Sequence, residues 1–205
     1  GLHGNCIISR FPLSDPQIIR LPNFFTWKGR QGSRMGIVAT AHTEIGDILC
    51  VSVHLECNCS PHQRRQQFAY LVEKISDISL DMKVVIGGDM NTLITGWAKF
   101  YDARGEIWDR VKSLGKSEAR LWEETMPKLV GEQGKFQDPF DKDYDVTYKY
   151  KKHLQWYSAK LDWLLFNNYW GKPIKKSVGG VTDGVRGVRS SDHSWISVTF
   201  AMSEL

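Results

Sequence analysis

Four short polar clusters stand at the ends of apolar runs. They are His54 in VSVHLE, Asp89 and Asn91 in VVIGGDMN, Asp162 in KLDWLLF, and Asp192-His193 in SSDHSW. Carboxylates and imidazoles held at strand mouths can orient a water, grip an anion or hold a hard cation. Strand side chains alternate with a period of two, so Asp89 and Asn91 are expected to face one space, a carboxylate beside an amide. That pairing suits a metal-bound water or a phosphate. Asp162 lies within an apolar strand, where a buried carboxylate requires a partner. Taken singly, each cluster has a structural rival: a plain turn for Asp89 and Asn91, a cap for Ser191-Asp192-His193, and a satisfied strand-end histidine for His54.

The elements that must position these groups follow from periodicity. Val84-Val85-Ile86 is a β-branched run of the kind buried on both faces, and Gly87-Gly88 permit a bend or a close backbone approach. Upstream, Asn5–Ser9 reads as a short strand, broken by Pro12, Asp15 and Pro16 into an irregular connection. Met35–His42 and Ile48–Leu55 read as a hairpin around Glu44-Ile45-Gly46-Asp47. Ser60-Pro61 caps a helix expected to run to about Ile78, with Phe68, Leu71, Val72 and Ile75 on its apolar face. Tyr101–Leu114 and Glu118–Met126 carry helical patterns, and Gly131–Lys160 lacks sustained periodicity and reads as surface loops. Leu161–Phe166, Lys172–Val178 and Trp195–Phe200 close the chain as strands, with Gly179–Ser191 as a loop. Strands with interspersed helices and no regular βαβ alternation predict an α+β layered fold.

The chain has 205 residues, 41% hydrophobic content and eight tryptophans, enough for one globular domain spanning residues 1–205. Its net charge is +4 and the basic residues are dispersed, which fits an anionic substrate. Four cysteines do not make a disulfide framework, and a reducing, intracellular setting is expected. No stretch approaches the roughly 20 apolar residues needed to span a bilayer. The chain opens at GLHGNCIISRFPL without an initiator methionine, so the expectation is an N-terminally incomplete domain.

The order and contexts of the four clusters, together with the opening GNCIISRFPL, resemble the endonuclease/exonuclease/phosphatase superfamily, the DNase I-like metal-dependent phosphoesterases. The resemblance runs from Gly4 to Phe200. It implies a four-layer α/β/β/α sandwich, here lacking its first strands, and hydrolysis of a phosphodiester by in-line attack of water assisted by Mg²⁺ or Mn²⁺. By motif, Asp192 becomes a metal-site carboxylate and His193 contacts the scissile phosphate. Asp162 orients His193, Asp89 orients or deprotonates the water and sits at the metal, Asn91 bonds phosphate or water, and His54 supports phosphoryl oxygens. Arg64 and Gln67 resemble the family's RxxQ helix, where they tether and pack.

One departure matters for the chemistry. The family's principal metal ligand is a glutamate in an earlier segment, and no acidic residue precedes Asp15 here. A second polypeptide or a missing N-terminal segment is therefore expected to complete the sandwich. The substrate class stays open among nucleic acid, phospholipid and small phosphodiesters, with basic charge leaning to nucleic acid or a lipid headgroup. Two rivals to an enzyme remain. One is a catalytically silent phosphate-binding module of the same fold, and the other is a zinc-stabilised domain built on His54, Cys57, Cys59 and His62. The tyrosine and lysine mixture at Tyr148–Trp156 could stack bases or sit at a lipid surface, against the simpler reading of a solvated loop.

Overall fold

The computed structural model describes residues 4–24, 33–57, 59–76, 78, 81–92, 136–140, 145, 147–152, 155–180 and 191–201. Nine strands and one α-helix are defined among them: β1 Leu13–Arg20, β2 Met35–Thr43, β3 Gly46–His54, α1 Pro61–Ser76, β4 Lys83–Asp89, β5 Tyr148–Lys152, β6 Gln155–Ala159, β7 Asp162–Phe166, β8 Pro173–Val178 and β9 Ile196–Phe200. Five strands form one sheet in the order β1-β2-β3-β4-β7, while β5-β6 and β8-β9 form two-stranded sheets. The β3–β4 pair is parallel and the other neighbours are antiparallel.

Helix α1 is the crossover that makes the parallel pair possible. Its start is a reciprocal cap: Gln63 N donates to Ser60 Oγ at 3.3 Å, and Ser60 N donates to Gln63 Oε1 at 2.9 Å. Phe68, Leu71, Val72 and Ile75 then pack into one buried cluster with Leu49, Val51 and Val53 of β3, Val84 and Ile86 of β4, and Trp163 and Leu165 of β7. By alternation, the intervening residues of those strands occupy the opposite face. There Phe166 of β7 meets Phe200 of β9 edge-on, with ring centroids 4.7 Å apart. A helix, the large sheet and the β8-β9 pair thus stack in the α/β/β order of the expected sandwich. The helices expected at Tyr101–Leu114 and Glu118–Met126 lie outside the described residues, as does most of the Gly179–Ser191 loop.

Three expectations are corrected. Asn5–Ser9 is irregular rather than a strand: no described strand pairs with it, Ile8 is 91% exposed, and Asn5 Nδ2 instead donates to Met35 O and Ser52 O. The Leu13–Arg20 stretch, expected to be irregular, is β1. It is an edge strand, and its register shifts between Ser14 and Gln17, where Asp15 takes φ 52° ahead of Pro16. An edge with a bulge accommodates the proline that a central strand would reject. Within the stretch expected to be loops, β5 and β6 form a hairpin, because Tyr148-Lys149-Tyr150-Lys151 alternates with a period of two and pairs with residues 155–159.

Candidate active site

The sheet register assembles the site. His54 is paired with Asp89 across β3–β4, and Asp89 with Asp162 across β4–β7, so the three occupy one row at one end of the sheet. All three fall on the face opposite α1, since their strand neighbours Val53, Trp163 and Leu165 belong to the helix-facing cluster. Gly88 makes the row possible. It has φ +150°, and a Cβ there would lie 1.7 Å from Val53 O, so only glycine allows β3 and β4 to stay paired up to His54 and Asp89.

The fourth cluster joins from the far end of the chain. His193 Nδ1 lies 2.7 Å from Asp162 Oδ2. Its segment is riveted by the buried Thr147, whose Oγ1 accepts the N–H groups of Leu161 and Asp162 at 3.0 Å each, and whose carbonyl accepts Ser194 N at 2.7 Å. The Asp162 hydrogen bond raises the His193 pKa, opposed by burial, so the imidazolium is favoured. Asp192 is exposed, and its charge adds to that effect.

Asp89 and His54 behave differently. Burial, followed by the neighbouring Asp162 charge, pushes Asp89 up to about 6. Its Oδ1 accepts Asn91 N at 2.9 Å, and His54 Nε2 stands 3.4 Å from Oδ2. Burial, together with the charges of Arg34 and His193, depresses His54 to about 4, so it is a neutral imidazole near pH 7. Asn91 follows the end of β4 with φ 51°, and its Nδ2 donates to Leu55 O at 3.0 Å. Strand alternation therefore does not position Asn91; a turn closed on the Asp89 carboxylate does.

Two charged residues at this end were missed by sequence reasoning. Arg34 directly precedes β2, and its Nε lies 3.3 Å from Glu56 Oε2, with both side chains largely buried. The Arg34 charge reaches both His54 and Asp89. The Met35–Leu55 hairpin pairing already placed Arg34 at the same end as His54, and that was the available signal. The loop after His54 is fixed by the fully buried Arg64, whose Nη1 donates to the carbonyls of Glu56, Cys57 and Cys59 at 3.0, 3.2 and 3.2 Å. Gln67 Oε1 accepts Glu56 N, and its Nε2 donates to Pro22 O.

The zinc alternative is not formed. Among the described residues no group of three or more His, Cys, Asp and Glu is placed to hold a metal. Cys59 Sγ is instead directed to Glu56 O at 3.3 Å, and Arg34 Nη2 reaches Cys57 Sγ at 3.8 Å. For a hard cation such as Mg²⁺ the donor chemistry fits at Asp89, a half-buried carboxylate whose charge is disfavoured first by burial and then by Asp162.

No family model and no curated protein matches the sequence. Solved structures do match. TDP2 from Caenorhabditis elegans aligns with a TM-score of 0.57 at 17% identity, covering 93% of this chain and 51% of that one. D. rerio TDP2 complexed with single strand DNA product aligns at 0.58 and 16% identity, over 93% and 68%. An endonuclease/exonuclease/phosphatase from Beutenbergia cavernae aligns at 0.58 and 14% identity, over 93% and 45%. The chain thus spans about half the length of the nematode protein and less than half of the bacterial one. At these identities the likeness shows the fold alone: the chain shares the DNase I-like fold of TDP2 and of the endonuclease/exonuclease/phosphatase structures.

Proposed function

We propose that the protein is a divalent-metal-dependent phosphoesterase that hydrolyses a phosphodiester by in-line attack of water. The row His54–Asp89–Asp162, with His193 bonded to Asp162, carries the reading. Asp89 is ionised near pH 7, yet it holds a proton more readily than an ordinary carboxylate, which suits it to accept the proton of the attacking water. His193, as an imidazolium steadied by Asp162, grips a non-bridging oxygen. Neutral His54 donates to a second oxygen, Asn91 orients Asp89 through its N–H, and Arg34 attracts the phosphate by charge. Asp89 and Asp192 would be the oxygen donors holding Mg²⁺ or Mn²⁺, which would supply neutralisation of charge on the phosphate.

A further carboxylate would have to come from outside the described residues, among which no group of three ligands stands together. We propose that another segment of the protein, or a second polypeptide, supplies it while completing the sandwich. Exposed Ile8, Ile174 and Trp195, and a β8-β9 sheet of two strands among the described residues, support this. The test is Mg²⁺-dependent hydrolysis of bis-p-nitrophenyl phosphate by the chain, by a form extended upstream, and by His193→Ala in each. Turnover that needs the extension and falls at least about 100-fold in the variant supports the reading. Unchanged turnover in His193→Ala overturns it, and phosphate binding without turnover in any form leaves the silent binding module.

A further inference from the structure

A cleft of about 640 Å³ opens at the end of β7 that lies away from Asp162. Phe166, which borders it, is four residues along the strand from that carboxylate, roughly 13 Å. Phe200 of β9 borders it too, and Trp170 touches both phenylalanines, its ring centroid 5.4 Å from Phe166 and 4.9 Å from Phe200. Trp170 is itself fixed, its Nε1 donating to Val84 O at 2.8 Å. One wall is the segment 137–139, where Gln137 and Phe166 exchange backbone hydrogen bonds at 2.7 and 2.9 Å. The other wall is β8. Its register against β9 shifts between Pro173 and Lys175. This irregularity brings Pro173, Ile174, Lys175 and Lys176 all to the cleft, where strict alternation would turn every second one away. Lys176 straps the two walls together, donating to Pro139 O at 2.9 Å and Asp145 Oδ2 at 2.8 Å.

The charges of the cleft do not cancel. Its charged lining is Asp138, Lys172, Lys175 and Lys176. Asp138 is paired with the buried Lys160, and Lys176 with Asp145. Lys172 and Lys175, both exposed, have no ion-pair partner among the described residues. We propose that the cleft binds a small aromatic carboxylate, its ring against Phe166 and Phe200 and its anion at Lys172 and Lys175. The volume falls within the roughly 300–1,000 Å³ of small-molecule sites. Edge and offset contacts with two phenylalanines favour a planar ring over an aliphatic body. Two ammonium groups suit a single carboxylate by charge-assisted hydrogen bonds, and the Asp138 charge on the other wall disfavours a polyanion. None of the lining residues belongs to the His54–Asp89–Asp162 row or is His193, so the inference stands apart from the phosphoesterase reading.

Isothermal titration calorimetry with 2-naphthoate tests it. The comparison ligands are 2-naphthylmethylammonium, with the same ring and the opposite charge, and acetate, with the anion and no ring. Saturable binding of 2-naphthoate is expected, with both comparison ligands at least about tenfold weaker. The Lys172→Met/Lys175→Met double variant should bind 2-naphthoate about tenfold more weakly. Both positions are exposed, so its urea midpoint should match the parent's. Phe200→Leu keeps the apolar bulk and loses the ring, and about a threefold weakening is expected. His193→Ala should bind as the parent does. Absence of saturable binding, equal binding of the ammonium compound, or full affinity in the lysine double variant overturns the proposal. Loss of binding in His193→Ala also overturns it, by placing the ligand at the other site. So does loss of binding in the form extended upstream, where the completing segment would then occupy the cleft.

Discussion

The two β-layers of this molecule meet at Phe166 and Phe200 but differ in how completely they satisfy themselves. In the large sheet, β3 and β4 are flanked on both sides and β7 is the edge strand, and all three are packed by α1 and cross-braced at the site end: Leu55 N donates to Asp89 O, Met90 N to Leu161 O, and Thr92 Oγ1 to Lys160 O. Among the described residues β8 and β9 pair only with each other, and Ile174 and Trp195 are 67% and 50% exposed. The difference teaches where each part of the site gets its order. The His54–Asp89–Asp162 row is preorganised by residues of this chain, whereas the layer beside His193 presents apolar surface of the kind that a partner segment covers.

The sharpest way to break the ordered layer is Gly88→Ala. The new Cβ would meet Val53 backbone at 1.7 Å, and no side-chain movement can relieve it. The expected cost exceeds about 4 kcal/mol, seen as loss of a cooperative unfolding transition. Gly46→Ala is the control, because nothing lies within 4 Å of the Cβ and only the φ of +96° opposes it. About 1 kcal/mol is expected there.

A smaller break leaves the strands intact and frees the loop that follows them. Arg64→Met keeps the volume but strips the donors from three carbonyls around Cys57, and it should lower stability by about 3 kcal/mol in urea unfolding. A midpoint unchanged within error would show that the loop needs no tether. Ile174→Lys in the less complete layer and Ile8→Lys outside it touch exposed positions, and each should shift stability by less than about 0.5 kcal/mol while reducing binding of a hydrophobic dye. A large loss of stability from either would mean that this surface is already covered.

Much of the large sheet was legible because its signals are local. The Met35–His42 and Ile48–Leu55 hairpin, the Ser60 cap with α1, and the buried runs at 83–89 and 162–166 all stand where periodicity and capping put them. The misses were non-local. Residues 5–9 have strand composition, but a strand exists only when paired with another, and no described strand pairs with them. Leu13–Arg20 carries Pro16, tolerable because β1 is an edge, and edge position is a property of the sheet rather than of the segment. The Tyr-Lys alternation of β5 was present in the sequence, but it was outweighed by the charge and aromatic mixture around it.

For the site, residue types and chain order alone determined which groups were candidates: His54, Asp89, Asn91, Asp162, Asp192 and His193 each sit at the end of an apolar run. Their relations were decided only in three dimensions. Register across three strands aligned His54, Asp89 and Asp162, and a fold-back of 31 residues brought His193 Nδ1 to Asp162. The same imidazole chemistry then separated into a neutral His54 and a protonation-prone His193. Burial and the Arg34 charge act on one, and a carboxylate 2.7 Å away acts on the other. Neither distance nor dielectric is written in the order of residues, and both set the charge a side chain carries.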